Sequence, residues 1–350
     1  MNNIPPLKHI TLILTYACQL RCKMCGQVNL PEESPMKTPR EMDAGLAIQR
    51  LDELSSLKTC YLFGGEPLLY KNLFMIVDYL TSRSILSEFS TNGLLLSKNA
   101  QRVVDKNVGV LSISLDSHRS EVHDEIRGLP GLFEQACVGI QTLLKIRSES
   151  RRKHPLVKIH FTLLPENMNE MLDYYDYFTN RFPELNKIKF HFPRFVTRTM
   201  AQEYSTVLKR EFGIEPTSHL GNFFNDSVCG QMDCDHIHAQ LSELLKRPKT
   251  SIVGPVDLPG IRHYFQSPGK PPPNSRCACF KSLAIQPDGS AVNCADFPDI
   301  VYGNIKDQSL SEIWAGKVAK QWRSYLEAHG NPGALSRCSR LYPSMNAAME

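Results

Sequence analysis

From residue 9 to about 193, short runs that are apolar along their whole length alternate with longer amphipathic stretches. The apolar runs fall at His9–Leu14, Thr59–Phe63, Leu86–Ser90, Gly109–Ser114, Leu156–Leu163 and Lys187–Phe192. Helical patterns lie between them, at Glu41–Leu57, Tyr70–Arg83, Ser97–Lys106, Leu132–Arg147 and Asn169–Arg181. A run without a polar face suits a strand covered on both sides, as in a parallel sheet. Six such repeats predict an α/β fold, either a (β/α)6 partial barrel or a doubly wound sheet. After Pro193 the pattern changes to a polar, helical stretch over about 199–246. A linker ending at Pro268-Gly269-Lys270-Pro271-Pro272-Pro273 follows. Beyond it come a hairpin pattern (Ser282–Gln286, turn Pro287-Asp288-Gly289, Ala291–Cys294) and a last helix over Ser309–Glu327.

Composition narrows the class. With 350 residues and 42% hydrophobic content, the chain can bury a sizeable core. The net charge of +4 is spread along the sequence and gives no case for nucleic acid or a membrane surface. No apolar run approaches the roughly 18 residues that span a bilayer. The start, Met1-Asn2-Asn3-Ile4-Pro5-Pro6, has no signal-peptide architecture, so a cytoplasmic location is expected.

The eleven cysteines are unevenly placed, three within eight residues near the start and six beyond residue 228. An odd count without a secretion signal argues against a disulfide framework, and clustered reduced thiols point to zinc or iron–sulfur. Cys18-x-x-x-Cys22-x-x-Cys25 follows the first predicted strand, on the loop where α/β barrels place their chemistry. That spacing should arise by chance only about 0.01 times in such a chain. Three thiolates so spaced can hold three irons of a cubane and leave the fourth open to a small molecule; the alternative is a zinc knuckle with a distant fourth ligand.

Further motifs stand at the strand ends. Phe63-Gly64-Gly65-Glu66-Pro67 follows the second strand, Ser90-Thr91-Asn92-Gly93 the third, and Ser114-Leu115-Asp116 the fourth, with His123-Asp124-x-x-Arg127-Gly128 after it. Two glycines let backbone approach a ligand and expose its N–H and C=O groups; the bland reading is a plain βα turn. With these residues the chain resembles the radical S-adenosylmethionine (SAM) superfamily over nearly its whole length. The resemblance implies a [4Fe–4S] cluster on Cys18, Cys22 and Cys25 whose open iron is chelated by SAM. It points to Gly64, Gly65, Glu66 and Pro67 at the methionine ammonium and to Ser114 and Arg127 at the carboxylate. Ser90, Asn92 and Asp116 fall near the ribose or the substrate, and Thr162, Leu163 and the end of the sixth strand shape the adenine pocket. Turn and cap hydrogen bonding is the alternative for Asp116 and His123. Met24 stands where an aromatic residue is usual.

The tail resembles a SPASM or Twitch auxiliary-cluster domain through Cys277-x-Cys279-Phe280, Gly289-x4-Cys294, Gly303-Asn304-Ile305 and Ser309-Leu310-x-Glu312-Ile313-Trp314. Leu341 and Leu335 replace the usual partner of Cys338. Cys279 then completes a set of Cys277, Cys279, Cys294 and Cys338 for one auxiliary [4Fe–4S] cluster; a zinc site or a lost cluster are the alternatives. Cys229 and Cys234 are candidate hydrogen-atom donors to a substrate radical, against the plainer reading of loop thiols or metal ligands. Cys60 and Cys137 read as core.

The expected organisation is a partial barrel over 1–195, a linking region over 196–274 and an auxiliary-cluster domain over 275–350. The resemblance implies cleavage of SAM to a 5′-deoxyadenosyl radical that abstracts hydrogen from a peptide or carbohydrate-like small molecule, with flavodoxin or ferredoxin as electron donor. The outcome would be oxidation, crosslinking or epimerisation. The first strand starts by residue 9, which leaves no room for a leader-binding domain and favours a substrate bound without one. A ferredoxin-like carrier or zinc module without SAM chemistry is the competing class.

Overall fold

The computed structural model describes residues 5–32, 34–37, 40–222, 230–267 and 281–333. Strand and helix alternate as the pattern predicts: β1 (His9–Thr15), α1 (Ala44–Asp52), β2 (Thr59–Gly64), α2 (Leu73–Ser82), β3 (Leu86–Thr91), α3 (Leu96–Asp105) and β4 (Val110–Ser114). Two helices, α4 (Ser120–Arg127) and α5 (Leu132–Glu149), precede β5 (Leu156–Thr162); α6 (Met171–Arg181) and β6 (Lys187–His191) complete the repeat. β1 to β6 pair in chain order, all parallel. Burial explains their composition: the first four residues of β4, Val-Leu-Ser-Ile, are all buried, so both faces of the sheet are covered. The helices show one apolar stripe each, as Leu96, Ala100, Val103 and Val104 do on α3.

The barrel is partial, and the sheet continues past both of its ends. After α7 (Arg198–Phe212) and α8 (Cys234–Leu244), β7 (Thr250–Val253) adds parallel to β6. On the opposite side β8 (Ser282–Ile285) runs parallel to β1, followed by antiparallel β9 (Ser290–Val292) and β10 (Val301–Asn304). β10 and β7 are therefore the edges of a ten-stranded open sheet.

β7 and α9 (Leu258–Gln266) lie in the stretch that the sequence reads as linker. Four residues are too few to show a strand period, and β7 is defined by its pairing of Phe190 with Ile252. α9 opens on an Asp257 carboxylate that accepts from Gly260 N at 2.8 Å, with a proline in its first turn. The last helix is two: α10 (Leu310–Ala315), started by a Ser309/Glu312 capping box, and α11 (Lys317–His329), separated by an extended Gly316.

One apolar core runs from Leu7 to Leu326, so strands and tail are packed together. Cys60 and Cys137 are buried in it, as expected. α1 fastens the tail: Arg50 Nε donates to Ile305 O at 2.7 Å, and Glu53 accepts from Leu310 N at 3.2 Å. Among the described residues no helix is long and apolar enough to cross a membrane.

Candidate active site

The loop after β1 carries Cys18, Cys22 and Cys25 onto the wall of a cavity of about 380 Å³ at the C-terminal ends of the strands. Local bonds shape it. Cys25 N donates to Cys22 O at 3.1 Å, and Lys23 N donates to Ile126 O at 2.9 Å, which ties the loop to the end of α4. Leu20 and Leu132 pack on Cys22, and Met24 joins this small apolar cluster, taking the place of the usual aromatic. All three thiols line the cavity wall, and among the described residues no group of three or more His, Cys, Asp or Glu is placed to hold a single metal ion. Burial pushes the Cys18 thiol upward and the Cys22 thiol up to about 11, with Arg127 beside Cys22 pulling the other way.

Gly64 and Gly65 line the cavity, and they also serve the packing of the loop beneath it. A Cβ on Gly65 would lie 2.1 Å from Ala17 O, and one on Gly64, at φ +135°, would lie 2.3 Å from Thr15 O. The glycines thus let the β2 turn press against the cysteine loop, joined by Gly65 N to Thr15 O (2.7 Å) and Glu66 N to Ala17 O (2.8 Å). This seats Glu66, which is 1% exposed yet lines the cavity. Its carboxylate accepts from Thr91 Oγ1 (2.7 Å), Asn92 N (2.8 Å) and Leu68 N (3.1 Å). Burial pushes its pKa up against these bonds.

Arg127, Ser114, Ser90, Asn92 and Thr162 face the same space. Asp116 is not itself on the cavity wall: it is fully buried and bound to Arg127 and Thr162, which are. Its Oδ2 accepts from Arg127 Nε at 2.5 Å, its Oδ1 accepts from Thr162 N at 2.8 Å, and its own N–H donates to His123 Nδ1 at 3.1 Å. The guanidinium edge containing Nε is therefore occupied by Asp116, and Nη1 reaches Cys22 Sγ at 3.8 Å. Pro67 and Leu163 are likewise buried away from the cavity, Pro67 opening the turn that follows Glu66.

Cys234 is 3% exposed, starts α8 inside the core and is not part of the cavity wall; α8 packs against α6 and α9. Its placement there does not suit a hydrogen donor in this cavity. Cys229, Cys277, Cys279 and Cys338 lie outside the described residues. Cys294 is partly buried, and the two residues after it, Ala295 and Asp296, reach the cavity.

Several wall residues carry no motif. His160 and His191 sit at adjacent strand ends with ring centroids 4.8 Å apart, and burial, then the neighbouring His191, drives His160 well below the usual histidine range. Arg194 pairs with Asp296, joining the end of β6 to the tail, and Ser218 comes from the segment after α7. The available signal was position: Arg194 stands three residues after the end of the sixth strand, and Asp296 two residues after Cys294. A cavity with three thiols, a carboxylate and a guanidinium complements a cubane beside a zwitterionic amino acid.

Residues 12–178 match the family described as the Radical SAM superfamily, and 277–340 match the iron–sulfur cluster-binding domain SPASM. The chain is 26% identical over 338 residues to AdoMet-dependent heme synthase of Methanosarcina barkeri, covering 95% of this chain and 89% of that protein. It is 33% identical over 334 residues to the antilisterial bacteriocin subtilosin biosynthesis protein AlbA of Bacillus subtilis, covering 92% of this chain and 63% of that one. In fold it is similar to Streptococcus suis SuiB bound to S-adenosylmethionine, with a TM-score of 0.64 at 13% identity over 96% of this chain and 72% of that chain.

Proposed function

The chain belongs to the radical SAM superfamily and carries a SPASM iron–sulfur domain, and from that premise we propose that it modifies a peptide at an unactivated C–H bond. The observation that carries the reading is the meeting of Cys18, Cys22, Cys25, Glu66 and Arg127 on one cavity wall. When bound, a [4Fe–4S] cluster supplies the electron that breaks SAM to methionine and a 5′-deoxyadenosyl radical, the hydrogen abstractor.

The residues divide the remaining work. Cys18, Cys22 and Cys25 hold the cluster and leave one iron for SAM. Glu66, fixed by three donors, accepts from the methionine ammonium, and Ser114 with the free part of the Arg127 guanidinium takes the carboxylate. Ser90, Asn92 and Thr162 face the ribose and adenine. Leu20, Met24 and Leu132 keep water from the thiolates, which strengthens each of these polar contacts. Cys277, Cys279, Cys294 and Cys338 would hold one auxiliary cluster, and the presence of Ala295 and Asp296, just after Cys294, on the cavity wall supports a place for that cluster near the reaction. Flavodoxin or ferredoxin is the reductant of this reading.

A peptide is favoured by the 33% identity over 334 residues to the bacteriocin-biosynthesis relative. The match to the heme synthase, which spans 89% of that protein, favours a heme precursor as the second reading. Anaerobically reconstituted, reduced protein should release 5′-deoxyadenosine from SAM, and Cys22→Ala should abolish this. Cleavage by a triple Cys18/Cys22/Cys25→Ala variant would overturn the reading. Stimulation of 5′-deoxyadenosine release by a heme precursor, and by no candidate peptide, would select the second substrate.

A further inference from the structure

Arg127 is placed for more than holding a carboxylate. Its Nε is fixed on Asp116 Oδ2 at 2.5 Å and its Nη1 lies 3.8 Å from Cys22 Sγ, so one guanidinium bridges a buried carboxylate and a cluster thiol. The Arg127 side chain is 12% exposed and that of Asp116 is 0% exposed, which keeps solvent screening low. Asp116 is itself held by Thr162 N, and Lys23 N binds the α4 end at Ile126 O beside Arg127. The charge cannot drift from the sulfur without disturbing two strands and a helix.

We propose that Arg127 sets the reduction potential of the SAM-site cluster through Cys22, with the buried charge of Asp116 opposing it. This rests on Cys18, Cys22 and Cys25 being the cluster ligands. Reduction adds one electron to the cluster, and a fixed positive charge on a ligand sulfur favours the more negative, reduced form. Arg127 therefore raises the potential, and Asp116, by its opposite charge, holds it below what Arg127 alone would give. Asp116 acts here by its charge, and Arg127 stays at the end of α4, which Lys23 N holds through Ile126 O.

The test is an EPR-monitored redox titration of the anaerobically reconstituted full chain without SAM. The SAM-site signal is the one missing from the triple Cys18/Cys22/Cys25→Ala variant. Arg127→Met should move its midpoint to more negative values, and Arg127→Lys should fall between Arg127→Met and wild type, because it keeps the charge but loses the fork. Asp116→Asn should move the midpoint the other way. These opposite signs separate an electrostatic role from a structural one, which would shift both variants alike. If Arg127→Met does not load a cluster, Arg127→Lys and Asp116→Asn decide by the same two signs. Midpoints unchanged in all variants, or both shifted in one direction, would overturn the proposal and leave Arg127 a carboxylate anchor. A wild type that loads no cluster on the cysteine trio would instead fail the reading beneath it.

Discussion

Asp116→Asn is the most direct perturbation of this site's architecture. The carboxylate is fully buried and binds Arg127 Nε at 2.5 Å and Thr162 N at 2.8 Å. Asparagine can still accept from Thr162 N through its oxygen, but its amide then turns N–H groups toward the Arg127 donor. The guanidinium cannot shed its proton to escape. Breaking a buried pair from one side costs about 3–5 kcal/mol, and the 12% exposure of the Arg127 side chain puts this case near the lower figure, about 3 kcal/mol. The assay is urea denaturation of the cluster-free chain, with SAM affinity of the reconstituted chain measured alongside. The decisive arm is the double variant Asp116→Asn/Arg127→Met. Removing both charges should bring stability back to within about 1 kcal/mol of wild type, although SAM cleavage stays lost. The argument is refuted if Asp116→Asn lies within about 0.5 kcal/mol of wild type, or if the losses of the two single variants simply add.

Three further outcomes follow from the same geometry. Burial, only partly opposed by Asp116 and Asp124, lowers His123 from 6.5 to about 4, with Arg127 adding to the depression. The unfolded chain therefore binds the proton more readily, so stability is full above pH 6.5 and about 3 kcal/mol of it is lost as pH falls toward 4. His123→Asn, which keeps an acceptor for Asp116 N–H, should flatten that part of the pH–stability curve; an unchanged slope would remove His123 from the account. Gly65→Ala places a Cβ 2.1 Å from Ala17 O and should cost about 1–3 kcal/mol while lowering 5′-deoxyadenosine yield, and a variant with wild-type melting and yield would contradict the loop contact. Cys234→Ala, a small loss of core volume away from the cavity, should leave both 5′-deoxyadenosine release and any solvent deuterium uptake into product in D2O unchanged, and loss of that uptake with 5′-deoxyadenosine still formed would return Cys234 to the reaction.

The sequence by itself determined the parallel repeat, because strands covered on both faces must be apolar throughout and the helices between them must show one stripe. It also determined the cysteine trio and the strand-end motifs, since local spacing on a loop needs no tertiary partner to be legible. What only the tertiary structure decided was which of these groups face the cavity. Asp116 and Arg127 are eleven positions apart and equally polar on paper, yet one is sealed behind the other. Gly65 reads as a ligand-facing turn and does line the cavity, but only the fold shows that Ala17 O is packed against it as well. β7 has four residues and no period, and becomes a strand through its bonds to β6. The Arg194–Asp296 pair joins residues a hundred positions apart, and no local pattern encodes a contact made when the tail folds back onto the end of the sixth strand.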